Sequence, residues 1–361
     1  MKQMDTTMTR NIFIAILLLL SSSLSSVSAT ERMARLIGGS AADSGAWPWM
    51  AGLVYNHSTT RNNVFCGASL IAKDWVLTAA HCVVDIGSSS FDVIINQAHL
   101  EIDTVNGERK HVGYILFHPF YNDFNLDNDL ALLKLASPSR NQPINVLAPF
   151  TLQDHAGKSA IALGWGATTT TPLRYPVELQ QVDLPLIDNP RCNAAMGSVT
   201  DDILCAGDGQ GERDTCFGDS GGPLMVFDTE SGTWQQAGIT SWVFACAAPG
   251  FFGVYTRLKN YAAFISDHIC TPDQIPAPVS LNLGINGNIA GASWNTVDNA
   301  AGFRLNYAPF PDAPTIESID MNRATDLAVK LAVGSAFYVG ITSYNGNCIS
   351  EYSNIEHFII E

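Results

Sequence analysis

The sequence predicts an all-β fold built from antiparallel strands. Short runs of β-branched and aromatic residues are broken repeatedly by Gly, Pro and Asn, as at 93–95, 160–163 and 238–242. Such runs are typical of short strands joined by turns. The chain has 361 residues, of which 47% are hydrophobic and 15% charged, and this composition favours a packed globular protein over a disordered one. The length indicates two domains, or one large domain with an appendage.

One helix is predicted, near the end of the first domain. Four apolar side chains recur there at helical spacing: Tyr261, Phe264, Ile265 and Ile269. This spacing places them on one face, which we expect to dock against the rest of the domain.

The first 29 residues are predicted to be a secretory signal peptide. Lys2 and Arg10 precede an apolar run at 12–20, and a segment rich in serine then ends at Ala29 after small residues. An uncleaved membrane anchor is the alternative, but this run is far shorter than the roughly 20 residues that cross a bilayer. We therefore expect a secreted protein, and whether export stops at a periplasm is left open.

The charge balance disfavours nucleic acids and anionic membranes as partners. Lys and Arg number 19 against 34 Asp and Glu, which gives a net charge of −15. A surface of this charge repels phosphate groups.

A boundary between two domains is predicted after Cys270. Residues 271–278 contain three prolines, which favour an extended linker. Residues 279–361 then show strand-like alternation, for example at 301–307 and 337–344, and are expected to form a second, small β domain.

Eight cysteines in an exported chain predict four disulfide bonds. Spacing alone leaves 105 possible connectivities. A zinc site is the competing interpretation, but no pair of cysteines has the spacing Cys-x-x-Cys, and we predict no metal and no other cofactor.

Three runs in the first domain carry side chains suited to nucleophilic catalysis. His81 lies in TAAHC (78–82), Asp129 in DNDLALL (127–133) and Ser220 in GDSGGPL (218–224). A serine hydroxyl is a weak nucleophile until a base such as histidine takes its proton, and a buried carboxylate holds the imidazole in the productive tautomer. Glycines beside the serine let backbone N–H groups converge on a developing oxyanion.

These runs, in the order His, Asp, Ser, resemble the chymotrypsin/trypsin-type family of serine proteases. WPW (47–49) and GWG (164–166) support the resemblance, which covers about two-thirds of the chain. It implies a double six-stranded antiparallel β-barrel of chymotrypsin type with a C-terminal helix, over residues 36–270.

The resemblance also implies the role of each residue. Ser220 attacks the scissile carbonyl, His81 acts as general base and then general acid, and Asp129 orients His81. The N–H groups of Gly218 and Ser220 form the oxyanion hole. The backbone of the substrate is bound as an extra strand by Ser241, Trp242 and Val243.

Activation by cleavage after Arg35 is implied in the same way. The cut would remove a propeptide, residues 30–35, and free the amine of Leu36, which in the family pairs with the aspartate before the nucleophile, here Asp219. Leu36 departs from the Ile or Val usual in the family.

The resemblance further implies three disulfide bonds: Cys66–Cys82, Cys192–Cys205 and Cys216–Cys246. The remaining cysteines, Cys270 and Cys348, are expected to join the two domains.

The specificity pocket is expected to take a basic side chain. Asp214 is placed where trypsin-like members carry a carboxylate at the pocket base, and Gly253 where the wall stays open to a long side chain. Val243 replaces the usual Gly and is typical of elastase-like members, and Phe217 stands at the rim. Preference for a small residue therefore remains an alternative.

Residues 279–361 resemble a fibronectin type III domain, with Trp294 on an early strand.

Together these observations predict a monomeric secreted serine endopeptidase that is made as a zymogen, cuts proteins or peptides after Arg or Lys, and needs an activating protease. The alternative is a binding protein that uses a catalytically idle protease domain as a scaffold.

Overall fold

The computed structural model describes residues 36–56, 64–101, 107–147, 154–229, 231–270, 274–312 and 315–361. The predicted signal peptide and propeptide, including Arg35, lie outside these residues, as do positions 271–273 of the predicted linker.

The first barrel uses strands from the N-terminal part of the described chain. The first seven strands are β1 (Ser40–Ala41), β2 (Met50–Tyr55), β3 (Val64–Ala72), β4 (Trp75–Thr78), β5 (Phe91–Ile95), β6 (Glu108–Phe117) and β7 (Ala131–Leu135). Strands β2, β3, β4, β7, β6 and β5 follow one another in a closed antiparallel barrel. Leu53, Leu70 and Leu133 are fully buried in its core.

The second barrel closes in the same way. The next seven strands are β8 (Asn145–Val146), β9 (Ser159–Gly164), β10 (Gln180–Ile187), β11 (Ile203–Ala206), β12 (Pro223–Asp228), β13 (Thr233–Trp242) and β14 (Gly253–Arg257). Strand β9 pairs with both β10 and β12, which closes the sheet. Alternate residues Val182, Leu184 and Leu186 of β10 point into the core, as expected for a strand with one buried face. The predicted double barrel is confirmed.

Among the residues that the structure describes, two α-helices accompany the barrels, α1 (Asn189–Met196) and α2 (Ala262–Ile269). Helix α2 is the predicted C-terminal helix, and Ile265 and Ile269 are buried as its spacing requires. Helix α1 was not predicted because Cys192 is its only buried residue, so no apolar stripe marks it. Its signals are local: the capping carboxylate of Asp188, which accepts a hydrogen bond from the Arg191 N–H at 2.8 Å, the proline at position 190 in the first turn, and Gly197 after the last residue.

The C-terminal residues form two further sheets. Their strands are β15 (Leu281–Asn286), β16 (Ile289–Trp294), β17 (Gly302–Pro309), β18 (Glu317–Asn322), β19 (Asp326–Lys330), β20 (Ala336–Asn345), β21 (Cys348–Ile349) and β22 (Glu356–Ile359). One sheet has the order β15-β16-β19 and the other β18-β17-β20, with β21 and β22 both paired to β20. The two sheets share one hydrophobic cluster that includes Trp294, Phe303 and Ile341.

The C-terminal sheets are attached to the barrels by the turn between β20 and β21. The Asn347 side chain accepts a hydrogen bond from the Val146 N–H at 2.7 Å and donates one to the Ile71 carbonyl at 2.8 Å. The next residue, Cys348, forms a disulfide bond with Cys270 at the end of α2. In the part of the chain that the structure describes, no helix is long and apolar enough to cross a membrane.

Candidate active site

Asp129 and His81 form a buried hydrogen-bonded pair. The Nδ1 atom of His81 lies 2.8 Å from Oδ2 of Asp129, and the His81 backbone N–H donates to Oδ1 at 3.0 Å. The Asp129 side chain is inaccessible to solvent, whereas that of His81 is 23% exposed. An ionised carboxylate that accepts from Nδ1–H fixes the tautomer in which Nε2 is free to accept a proton.

The Ser220 turn is fastened to the same strand as the His81 turn. The Gly67 N–H, on β3, donates to the Ser220 carbonyl at 2.7 Å. The neighbouring residue, Cys66, is bonded to Cys82, which follows His81. The Thr78 hydroxyl, just before the His81 turn, donates to the Gly67 carbonyl at 2.8 Å. These three links hold the nucleophile candidate and the base candidate on one scaffold.

Gly67 allows this close approach because it lacks a side chain. A Cβ atom at position 67 would lie 2.7 Å from Gly222 Cα and 2.8 Å from Gly222 N, and both of these are backbone atoms that no rotamer change can move. We expect Gly67→Ala to displace the Ser220 turn, to lower kcat about tenfold or more, and to cost about 1–3 kcal/mol of stability, as overpacked substitutions do. Steady-state kinetics and thermal melts would measure both effects.

Gly113→Ala is the matched control, because a Cβ there makes only an ordinary 3.5 Å contact with the Lys134 carbonyl. Equal activity of the two variants would contradict the link between Gly67 and the turn.

The peptide between Phe217 and Gly218 is oriented by a hydrogen bond. The Ala167 N–H donates to the Phe217 carbonyl at 2.8 Å. In a trans peptide the N–H points opposite to the carbonyl, so the Gly218 N–H is directed away from Ala167. Gly218 has a φ of 100°, a conformation that favours glycine. This orientation leaves the Gly218 N–H available to an anion.

Asp219 is a fully buried carboxylate held by two backbone donors. Its oxygens accept hydrogen bonds from the N–H groups of Gly166 and Cys216, both at 2.8 Å. Burial raises the pKa of Asp219 to about 7, against the lowering effect of these two donors. Leu36 is also fully buried, and the Ile37 carbonyl beside it accepts from the Asp214 N–H at 3.1 Å.

Asp214 is a buried carboxylate with one oxygen uncommitted. Its Oδ2 atom accepts from the Ala247 N–H at 2.9 Å, whereas its buried Oδ1 atom has no hydrogen-bond partner among the described residues. Burial raises the pKa of Asp214 to about 7. A Cβ at Gly253 would lie 3.0 Å from Oδ1, so glycine keeps the approach to this oxygen open.

Residues 36–265 match the Trypsin family. The chain belongs to the trypsin family. It is 33% identical over 237 residues to a trypsin of Xenopus laevis, which covers 65% of this chain and 91% of that relative. It is also 34% identical over 218 residues to trypsin-3 of Salmo salar, covering 59% of this chain and 86% of that relative.

A longer relative of the trypsin family matches over the same share of the chain. Transmembrane protease serine 7 of Rattus norvegicus is 36% identical over 244 residues, which covers 65% of this chain. The chain spans only 28% of the length of that relative. The family match ends at residue 265, so it does not extend to the C-terminal sheets.

The structure contains the three disulfide bonds that the trypsin-family resemblance implies, Cys66–Cys82, Cys192–Cys205 and Cys216–Cys246. It also contains the bond expected between the two remaining cysteines, Cys270–Cys348. Val243 packs against the Cys216–Cys246 bond. Phe217 is 56% exposed, and the exposed Phe244 ring stacks on Phe251 with centroids 4.8 Å apart.

Sequence reasoning missed a second partner of Asp129. The Ser241 hydroxyl donates to Asp129 Oδ2 at 2.5 Å, in addition to any contact that its backbone makes with substrate. Thr256 also contributes, since its hydroxyl donates to the Asp129 carbonyl at 2.9 Å. These contacts join residues more than a hundred positions apart, and no local motif signals them.

Proposed function

We propose that this protein is a secreted serine endopeptidase that acts through Ser220, His81 and Asp129. The observation that carries the proposal is the buried Asp129 carboxylate on Nδ1 of His81, with the Ser220 turn fastened to the same strand. Ser220 attacks the scissile carbonyl while His81 takes its proton. His81 then protonates the leaving amine. In the second stage water attacks the carbonyl of the acyl-enzyme while His81 takes its proton, and His81 returns this proton to the Ser220 oxygen as the bond to the acyl group breaks.

The oxyanion of each tetrahedral intermediate is bound by the N–H groups of Gly218 and Ser220. The hydrogen bond between Ala167 and Phe217 supports this role because it holds the Gly218 N–H in place before the reaction begins. Donors that are already aligned stabilise the developing charge without reorganisation.

Cleavage after Arg or Lys is the specificity that Asp214 supports. A buried carboxylate with one free oxygen is costly unless a cation meets it. An arginine side chain entering past Gly253 supplies the charge and the donors together. The packing of Val243 on the pocket wall keeps preference for a small residue as the second candidate.

A panel of peptides that differ only in the residue before the cut, Arg, Lys, Ala, Val or Phe, tests the reaction and the specificity together. The activated protein and its Ser220→Ala variant are assayed side by side. Strong turnover of Arg or Lys peptides that depends on Ser220 is expected. Turnover of Ala or Val peptides alone would mean that Val243 closes the pocket above Asp214.

A fluorophosphonate probe separates an enzyme from an idle scaffold. The proposed mechanism requires the probe to label wild-type protein at Ser220. If the activated chain cleaves no peptide and takes up no probe, a binding protein on an idle protease fold is the better description.

Activation is proposed to follow cleavage after Arg35. The buried Leu36 and the two backbone donors on Asp219 support a site in which a new N-terminal amine meets this carboxylate. Before the cut, the buried and unpaired Asp219 lowers the stability of the fold at any pH above its ordinary pKa of about 4. After the cut, the charged amine offsets that cost.

The stability gained on cleavage is therefore expected to depend on pH. Because the folded-state pKa of Asp219 is raised, an unpaired Asp219 lowers the free energy of unfolding progressively as pH rises from about 4 to about 7. In a Ser220→Ala background, cleavage after Arg35 should raise Tm more at pH 8 than at pH 5. Thermal melts before and after cleavage measure this difference.

Asp219→Asn is the control for the activation site, since it removes the charge that the amine would meet. An equal rise in Tm at both pH values, or an equal rise in the Asp219→Asn variant, would argue against this ion pair.

We infer that residues 1–29 direct secretion, that residues 30–35 are the propeptide, and that 271–278 link the protease domain of residues 36–270 to residues 279–361. The strand order of the two C-terminal sheets supports a fibronectin type III-like sandwich for the last part. The protein is proposed to act as a monomer on protein substrates, after cutting by a separate activating protease.

A further inference from the structure

A large apolar cavity, open on one side, lies between the two C-terminal sheets. Its volume is about 320 Å³, and side chains from both sheets line it, among them Ala292, Leu305, Val329 and Phe337. Of the described residues that line it, Tyr307 alone has a polar side chain. The other end of the sandwich is filled by Trp294, Phe303 and Ile341, so the cavity is confined to one end of the interior.

The size of this cavity is unusual for a packed interior. Protein cores contain few voids larger than a water molecule. An apolar cavity of roughly 150 Å³ stays dry and takes up a molecule such as benzene, and ligand pockets begin at about 300 Å³. The cavity therefore has the volume and the lining of a site for an apolar ligand.

An entrance lies between the free edges of the two sheets. Strand β18 ends the larger sheet and β19 ends the smaller one. Ile319 on β18 and Val329 on β19 both line the cavity, yet they are 37% and 40% exposed. Because each strand has its second edge unpaired within this topology, a ligand can enter between them without breaking a sheet.

The polar edge of the cavity is acidic. The Tyr307 hydroxyl donates to Oε2 of Glu317 at 2.5 Å, and Glu317 lies two residues from Ile319 on the same strand. Residues 271–361 carry nine acidic and three basic side chains. This charge disfavours an anionic head group at the entrance and favours a cationic or uncharged one.

We propose that this cavity binds the aliphatic chain of a single-chain amphiphile with a cationic or uncharged head group. The chain lies among the apolar residues between the sheets, and the head group stays at the entrance near Glu317. The site is separate from the proposed catalytic centre and does not depend on it.

Calorimetric titration of the full chain, carrying Ser220→Ala to prevent self-digestion, tests the proposal. The probes are alkyltrimethylammonium ions with chains of six to twelve carbons, kept below their micelle-forming concentrations. Affinity should rise about fourfold with each added methylene until the chain fills the cavity, and then level off. Decanol should also bind. Decanoate should bind more weakly than decanol or the alkyltrimethylammonium ion of the same chain length.

Substitutions inside and outside the cavity test whether the ligand binds there. Ala292→Leu fills the cavity from β16 and should weaken binding at least tenfold, whereas Ala328→Leu, at an exposed position of β19 outside the lining, should not. Val329→Trp, at the partly exposed entrance, gives the same readout if Ala292→Leu does not fold. Glu317→Gln should reduce the preference for the trimethylammonium head over decanol.

Several results would overturn the proposal. They are no binding by the wild-type chain, equal binding by the cavity-filling variants, or binding of decanoate as tight as that of the cation. Sedimentation provides another: a dimer that Ala292→Leu converts to monomer would show that a second copy, rather than an amphiphile, covers this cavity.

Discussion

Replacing Ser220 by Ala is expected to lower kcat/KM for peptide hydrolysis by about 10⁵- to 10⁶-fold while leaving the fold intact. The substitution removes the nucleophilic oxygen but retains the backbone carbonyl that Gly67 binds. Asp129→Asn should cost on the order of 10⁴, because an amide that donates to Nδ1 selects the wrong imidazole tautomer. Both magnitudes are those general to such triads.

The Asp129 variant has a second consequence that follows from this structure. In the wild-type protein, the Asp129 carboxylate accepts hydrogen bonds from the backbone N–H of His81, from Nδ1 of the His81 ring and from the Ser241 hydroxyl. An asparagine in the same place has only one acceptor oxygen, so at least one buried donor loses its partner, at a cost of about 1–3 kcal/mol. Ser220→Ala should therefore melt like wild type, whereas Asp129→Asn should melt lower.

Asp85→Asn is a matched control for the triad, because this exposed carboxylate follows the His81 turn closely in sequence. It should leave kcat/KM and Tm unchanged. Turnover near the wild-type level in Ser220→Ala would eliminate Ser220 as the nucleophile, and with it the proposed mechanism.

Features formed by residues that are close together in the sequence could be predicted. Gly218, Asp219 and Ser220 are consecutive, so one short motif predicts both the turn and the residues expected to act in catalysis. Helix α2 was predictable because its apolar residues repeat along one face. Helix α1 was not, because a helix with a single buried residue has no apolar stripe to detect.

Features that arise only from tertiary packing escaped the sequence. The Ser241 hydroxyl reaches Asp129 from 112 positions away, through a bulge at the end of β13 that no pattern of hydrophobicity encodes. The C-terminal cavity is similar, since Leu327 and Val329 alternate on β19 as they would over a filled core. Alternation predicts which face is apolar, but it does not predict how closely the facing sheet approaches.

Asp214→Asn is expected to reduce kcat/KM for Arg and Lys peptides by about 10²- to 10⁴-fold, with little change for Ala peptides. A substrate cation that loses its buried partner costs roughly 3–5 kcal/mol. Because burial raises the pKa of Asp214 to about 7, the carboxylate of the free enzyme is charged only above that pH. In wild type, the ratio of kcat/KM for Arg peptides to that for Ala peptides should therefore rise as pH increases through about 7.

This ratio isolates Asp214 because any effect of pH on the catalytic residues acts on both substrates equally and cancels. In Asp214→Asn the ratio should be low and independent of pH, whereas the exposed carboxylate Asp183 on β10 should be replaceable by Asn without effect. Stability gives a second readout. The raised pKa means that wild type loses stability between about pH 4 and pH 7, and the variant should lose less. A ratio that stays flat in wild type, with Ala peptides cleaved best, would assign Asp214 a structural role and leave Val243 in control of the pocket.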